Sequence, residues 1–267
     1  KVISNFFTYQ KVKKYLKNRK ADIVTSIAMF YDLTNPIKFA KDVHRTLNSN
    51  GIWHLEQSYS GLMLKKNSYD TICHEHLEYY SLKSIKNIFD RTGFKIIDVQ
   101  FNNINGGSFA ITAAKKKSNH LEAKKLISKI ILDEKLNKVN TVSAYKDFFN
   151  RINFERKKLI NFLKKAKIKN EKVLGYGAST KGNVILQFCK INSDLLQSIC
   201  DVNKEKKGTF TPGSQIKIIS ENHAKSIKPD YFLVLPWHFK KFILYKEKKL
   251  IQRGLKFLFP LPKFEVI

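Results

Sequence analysis

The run Asp70-Thr71-Ile72-Cys73-His74-Glu75-His76-Leu77-Glu78-Tyr79-Tyr80 packs two imidazoles, three carboxylates, two phenols and a thiol into eleven residues. Histidine changes charge near neutral pH without large tuning, so such a run suits general acid–base work. It does not suit a zinc protease, whose HExxH motif needs histidines four apart on a helix; His74 and His76 are two apart. A metal would also need a third ligand, which the neighbouring sequence does not supply. The bland alternative is a pair of hydrogen-bonded surface histidines.

A second run, Gly175-Tyr176-Gly177-Ala178-Ser179-Thr180-Lys181-Gly182-Asn183, stands between a strand-like and a helix-like stretch. Backbone N–H groups can cradle phosphate at such a junction. Thr180 occupies the third glycine position of GxGxxG, and Asn183-Val184 follows Gly182 where a Walker loop requires Lys and Ser or Thr. Two readings stay open: a tight turn, or an anion site with Ser179, Thr180 and Lys181 as side-chain donors. Asn105-Gly106-Gly107-Ser108 reads as a hairpin turn, where glycine supplies positive φ. Leu235-Pro236-Trp237-His238-Phe239 closes a strand, and a tryptophan there is more often core than ligand stack.

These groups need a frame to hold them. Ala21–Phe30 is a short apolar run suited to a strand buried on both faces. Asn35-Pro36 opens a helix with Ile37, Ala40, Val43 and Leu47 on one face, and Asn50-Gly51 stops it. A strand follows at Ile52–Glu56. Ser81 is an N-cap for a helix striped by Leu82, Ile85, Ile88 and Phe89, with Gly93 as its stop. Strands at Phe94–Phe101 and Ser108–Ala114 are too close for a helical crossover and form an antiparallel hairpin. This is the second half of a doubly wound sheet whose last strand runs antiparallel. Residues 118–170 read as one or two amphipathic helices linking domains. From Glu171 a second open parallel sheet is expected, with strands near 172–174, 196–200, 216–219, 231–235 and 256–259.

The 267 residues suffice for two domains, and the 43% apolar content suffices for a core. No apolar run approaches the ~20 residues that span a bilayer. The net charge of +28 comes from 44 lysines and six arginines. A phosphate-binding surface favours arginine, and many lysines here, such as Lys157, Lys158, Lys164, Lys165 and Lys167, fall on solvated helix faces. Nucleic acid is therefore not an expected partner, nor is a membrane. Cys73, Cys189 and Cys200 form no CxxC pair, which fits a reducing, cytoplasmic setting.

Seven blocks in order carry a resemblance to a known family: SIAMFYDL (Ser26 to Leu33), GIWHLEQSY (Gly51 to Tyr59), YDTICHEHLEYYSL (Tyr69 to Leu82), NGGSFAIT (Asn105 to Thr112), GYGASTKGN (Gly175 to Asn183), FTPGS (Phe210 to Ser214), and DYFLVLPWHF with FPLP near the end. The chain resembles the S-adenosylmethionine-dependent sugar C-methyltransferases, which act on nucleotide-linked keto sugars. The resemblance implies an α/β protein with three parts. Residues 1–117 would be the C-terminal part of a class I methyltransferase domain, a Rossmann-like sheet ending in an antiparallel hairpin. Residues 118–170 would be a helical linker. Residues 171–267 would be a second Rossmann-like α/β domain on the nucleotide-sugar side. The family's zinc-binding domain and glycine-rich cofactor loop have no counterpart in the sequence, so the chain is expected to be an N-terminally trimmed piece. Its S-adenosylmethionine site would be incomplete, and zinc would belong only to the missing domain. Many members carry Tyr before the HEH triplet; Cys73 stands there, so no tyrosine role is carried over.

Methylation of carbon requires a carbon nucleophile. A C–H beside a ketone can be deprotonated to an enolate, given a base near neutral pKa. His76 is the expected base, with Glu75 orienting it or hydrogen-bonding the sugar, and His74 as a less defined neighbour. Asn105, Gly106 and Ser108 are expected to line the substrate pocket. Gly177, Ser179, Thr180 and Lys181 are expected to meet the nucleotide or its diphosphate, with Trp237 and His238 beside them. Ser26, Met29 and Phe30, at the end of the first strand, are expected on the cofactor side. The competing readings are a polyanion-binding protein, an inactive remnant, and a nicotinamide-dependent oxidoreductase. The last needs an acidic residue ~20 positions past the loop, and Asp201 is 24 past Gly177.

Overall fold

A computed structural model of the protein describes residues 2–267. By contacts the chain divides into two compact units. The first holds the residues up to Met63 together with His74–Ala144; the second holds Leu64–Cys73 and Tyr145–Ile267.

The first unit opens with helix α1 (Tyr9–Tyr15), then strand β1 (Ala21–Ile27), helix α2 (Pro36–Thr46) and strand β2 (Leu47–Ser58). Helix α3 (Ser60–Lys65) follows β2. After His74 come helix α4 (Leu82–Thr92), strands β3 (Phe94–Asn102) and β4 (Ser108–Lys115), and helix α5 (Lys124–Leu136). The sheet order is β1-β2-β4-β3. β1 and β2 are parallel, and β4 runs antiparallel to both its neighbours. The expected antiparallel last strand is therefore present, inserted between β2 and β3.

Local chemistry sets the helix limits. Asn35 caps α2 through its Oδ1, which accepts from Lys38 N at 2.9 Å, and Pro36 takes the first helical position. Ser81 caps α4 in the same way, and Gly93 leaves it at φ +84°. The start of α4 has a second cap from α5. Glu134, 1% exposed, accepts from Leu82 N at 2.5 Å, from Lys83 N at 3.2 Å and from Tyr59 Oη at 3.0 Å. A carboxylate facing a helix N-terminus in this way contributes ~1–2 kcal/mol. Ile127 and Ile130 of α5 join the core of Phe30, Val43, Trp53, Leu55, Ile85, Phe89 and Phe94. So half of the stretch read as a linker supplies a core face to this unit.

Two expectations fail in this unit. Helix α2 ends at Thr46, not at Asn50-Gly51. The Thr46 hydroxyl donates back to Asp42 O at 2.8 Å, and Leu47 is already extended and paired with Ala21. Strand β1 is also not buried on both faces. Val24 and Ser26 turn inward, but Ile23 is 61% and Ile27 53% exposed. The reason is topological: β1 is an edge strand, and no described element covers its outer side.

The second unit holds Leu64–Cys73 and nearly all of the 27-residue helix α6 (Val142–Ile168), whose buried stripe of Phe148, Ile152, Glu155, Leu159, Leu163 and Ala166 has helical spacing. Then follow β5 (Val173–Tyr176), α7 (Thr180–Cys189), β6 (Ser198–Asp201), β7 (Lys217–Ser220) and α8 (Glu221–Ser226). The chain closes with β8 (Tyr231–Val234), α9 (Lys240–Lys246), α10 (Lys248–Ile251), β9 (Lys256–Phe259) and β10 (Glu265–Val266). The sheet order is β10-β9-β8-β5-β6-β7, parallel except for β10. From β5 the chain winds outward through β6 and β7, then returns to β8 on the other flank of β5. A switch in winding direction thus falls between β5 and β8. In open α/β sheets ligands gather beyond the carboxyl ends of strands at such a point.

Candidate active site

The histidine triplet belongs to the first unit. His76 is half-buried and its ring lies 4.2 Å from that of Tyr31, tilted by 49°. The backbone fixes this contact: Leu77 N and Glu78 N both donate to Tyr31 O, at 3.0 and 3.1 Å. Tyr31 sits in a short 3-10 turn, Phe30–Asp32, three residues past the end of β1. His76 therefore stands beyond the carboxyl end of a parallel strand. Its neighbours His74 and Glu75 are exposed. Asp32 shares this corner. Partial burial raises its carboxyl above the usual range, the His76 charge draws it down, and Glu75 pushes it up again.

The residues expected on the cofactor side fare unevenly. Ser26 is 4% exposed and its Oγ accepts from the Trp53 indole N–H at 3.0 Å. Phe30 is fully buried against Phe39, Trp53 and Tyr80. Alternation along β1 turns Ser26 toward the helices, and the turn after β1 folds Phe30 into the same core. Both side chains are core groups and do not fit a cofactor contact. Met29 alone of the three is half-buried.

The loop Asn103–Gly107 is a tight turn joining β3 to β4. Asn105 and Gly106 have φ of +54° and +89°. A Cβ on Gly107 would lie 2.7 Å from Leu62 Cβ, so only glycine fits there. Ser108 is 1% exposed, and its hydroxyl donates to Ile104 O at 3.0 Å. Gly106 is buried as well and Asn105 half-buried. Ser108 thus shapes the turn.

The second cluster lies wholly within the second unit. Gly177 takes φ +83°, and a Cβ on it would meet Pro236 Cδ at 2.7 Å. The turns after β5 and β8 thus touch, at the switch in winding. Ser179 caps α7, its Oγ accepting from Gly182 N at 3.0 Å. Thr180 is exposed, and Lys181 is half-buried. Helix α7 starts at Thr180, directly after the Ser179 cap. Trp237 is 6% exposed and donates its indole N–H to Asp70 Oδ2 at 2.9 Å. Its setting is that of a core residue. His238 is half-buried, with its pKa brought down to about 4 by burial and by the charge of Lys181.

Asp201 does stand at the end of β6, but its oxygens are engaged. Oδ2 accepts from Ala178 N at 2.8 Å and Oδ1 from Asn203 N at 2.8 Å, with Lys206 Nζ 3.6 Å away. A dinucleotide site needs that carboxylate for a ribose and that loop amide for a pyrophosphate. Here the two satisfy each other, which removes the support for a nicotinamide-dependent oxidoreductase. Among the described residues no three His, Cys, Asp or Glu side chains gather as a metal site, and no helix is long and apolar enough to cross a membrane.

Sequence reasoning missed Asp32, Tyr31 and Asp70 as members of these clusters. Tyr31 and Asp32 lie inside the SIAMFYDL block, and Asp70 heads the histidine-bearing run, but no spacing rule links them to their partners.

The four-stranded sheet with its inserted antiparallel strand defines the first unit as part of a class I methyltransferase domain, joined to a second open α/β unit. A methyltransferase-domain family model matches residues 3–99, and the model described as the C-methyltransferase C-terminal domain matches residues 103–262. The chain belongs to the C-methyltransferase family. It is similar to C-methyltransferase NovU of Streptomyces niveus, with 30% identity over 233 residues. That match covers 85% of this chain and 55% of NovU, so the chain spans about half the length of this curated relative. Two solved structures described as M1.HpyAVI are 18% and 16% identical. The first, a complex with SAM, matches over 42% of this chain and 54% of its own; the second matches over 82% and 92%. The TM-score is 0.26 for each, too low to bear on the fold.

Proposed function

We propose that the protein takes part in S-adenosylmethionine-dependent C-methylation of a nucleotide-linked keto sugar, with His76 as the base that makes the carbon nucleophile. The observation that carries this reading is the seating of His76 on Tyr31, beyond the carboxyl end of β1 in the methyltransferase unit. The imidazole takes the proton from the carbon beside the ketone. The C–H electron pair passes into the enolate, whose carbon is then the nucleophile that C-methylation requires. Anchoring through Leu77 N and Glu78 N to Tyr31 O fixes the backbone next to the ring. Asp32 and Glu75 bring negative charge to the same corner, which favours the imidazolium that forms. S-adenosylmethionine is proposed as methyl source from the family; Ser26 and Phe30 are buried and present no exposed side chain for it. In the second unit, Gly177, Thr180 and Lys181 are proposed to receive the diphosphate of the substrate, supported by their position at the switch in winding.

The base can be tested without any methyl donor. The intact protein is placed in D2O with a nucleotide-linked keto sugar, and NMR follows loss of the proton next to the ketone. His76→Asn is expected to slow this exchange by roughly 10²–10⁴-fold. Exchange at the wild-type rate in that variant would remove His76 as the base.

A further inference from the structure

Against α7 lies a buried turn, Tyr69–Thr71, whose three residues are 4%, 1% and 2% exposed. Its ends are tied to α7. The Tyr69 hydroxyl meets Cys189 Sγ at 3.4 Å, and its ring lies 4.7 Å from that of Phe188. Lys181 Nζ reaches Thr71 Oγ1 at 3.5 Å. Between these ties sits Asp70. One oxygen accepts from Trp237 Nε1 at 2.9 Å; the other, Oδ1, has no hydrogen-bond partner among the described residues. A carboxylate this buried is costly unless its charge serves a partner.

We propose that Asp70 is a positioning residue for an anion site in this unit, fixing the Lys181 ammonium and the Trp237 indole so that Lys181 meets a phosphate of a nucleoside diphosphate. The inference rests on the reading that the start of α7 receives the substrate's diphosphate. Burial and two neighbouring side chains act on Lys181. Burial lowers its pKa; Asp70, and more weakly Cys73, push it back up. Nearby, His238 is held neutral at ordinary pH, its value about 4, and its buried Nδ1 has no hydrogen-bond partner among the described residues. His238 therefore adds no competing cation beside Lys181. Asp70 is the group that offsets the desolvation of the ammonium. The same carboxylate is itself raised by burial and drawn down by Lys181 and by the Trp237 hydrogen bond. Each member of the pair is tolerable in the interior because of the other.

Removing Asp70 should therefore cost most where Lys181 most needs help to stay protonated, at alkaline pH. Titration calorimetry with uridine diphosphate and thymidine diphosphate, at pH 6.5 and 8.5, measures this directly. The wild-type chain is expected to bind at least one of them at both pH values. Lys181→Met should weaken that binding about tenfold or more at both. Asp70→Asn should weaken it about tenfold at pH 8.5 and clearly less at pH 6.5, and Asp70→Glu should recover most of the loss. Trp237→Phe, which removes the donor to Asp70, should give a smaller loss with the same pH trend. That variant carries the test if Asp70→Asn does not fold by circular dichroism. Asp70→Asn and Trp237→Phe binding like wild type, while Lys181→Met binds poorly, would overturn the role of Asp70 and leave the diphosphate reading standing. A wild-type chain that binds neither diphosphate, or a Lys181→Met variant unchanged in affinity, would overturn that reading and the inference with it.

Discussion

Strands β1 and β5 look alike in sequence, and the protein treats them in opposite ways. Both are short apolar runs, and both lead into a turn bearing polar groups. β5 lies mid-sheet between β8 and β6, and all four of its residues are buried. β1 lies at an edge, with Ile23 and Ile27 in solvent. The polar groups beyond each strand differ to match. His76 and its neighbours, beyond β1, stand at or near the surface and are held by backbone hydrogen bonds. Lys181, beyond β5, reaches the buried Thr71 hydroxyl and lies in the field of the Asp70 carboxylate, in a desolvated site. A proton-transfer group must exchange its proton with substrate, so access matters most. A fixed charge for an anion gains from low dielectric, so burial matters most.

The largest test of this contrast is a pair of core truncations. Phe232→Ala on β8, fully buried beside β5, is expected to destabilise the second unit by about 3–5 kcal/mol. Ile23→Ala on the outer face of β1 is expected to change stability by no more than about 0.5 kcal/mol, because its side chain already lies in water. Urea melts of both variants decide the matter. A cost above ~2 kcal/mol for Ile23→Ala would mean that β1 is covered in solution and that the contrast is wrong.

These same two strands show what the residues disclosed in advance. The helix stops and starts were legible because capping is local: Asn35, Ser81 and Gly93 act on amides within a turn of themselves. The hairpin was legible from loop length alone. The exposure of β1 was not, since apolar content reports what a strand can bury and not what lies beside it. The end of α2 at Thr46 was missed because Leu47 fits a helical stripe as well as a strand. In the site, His76 was legible as a residue type suited to the chemistry. Its seat on Tyr31 and the pairing of Asp70 with Trp237, 167 positions apart, depend on tertiary folding and leave no local mark.

A glycine in each unit gives a test of intermediate size. Gly177 and Gly107 both have positive φ, and a Cβ on either would lie 2.7 Å from a neighbour, Pro236 Cδ or Leu62 Cβ. Alanine at each is expected to cost about 2–3 kcal/mol, from backbone strain plus the clash. The contrast predicts that the two differ in binding. Gly177→Ala should also weaken nucleoside diphosphate binding, whereas Gly107→Ala should leave it unchanged. Equal loss of binding in both would mean that the diphosphate is not confined to the β5–β8 turns.

The smallest expected effect concerns His238, and its sign follows from burial. The folded-state pKa of about 4 lies below the usual 6.5. Between these values the unfolded chain binds a proton that the folded chain refuses, so stability falls as pH drops from about 6.5 to 4. The ring is half-buried, so solvent takes up part of the penalty, and the loss is on the order of 1 kcal/mol. His238→Gln should flatten that limb of the stability–pH curve and leave the region above pH 7 nearly unchanged. His76, half-buried on the Tyr31 turn, faces the Asp32 and Glu75 carboxylates, whereas His238 has Lys181 beside it. His76→Gln should accordingly not flatten the same limb. Thermal melts of the two variants from pH 4 to 7.5 compare them directly. A flattened limb in His76→Gln, with an unaltered one in His238→Gln, would reverse the assignment of the exposed and the desolvated site.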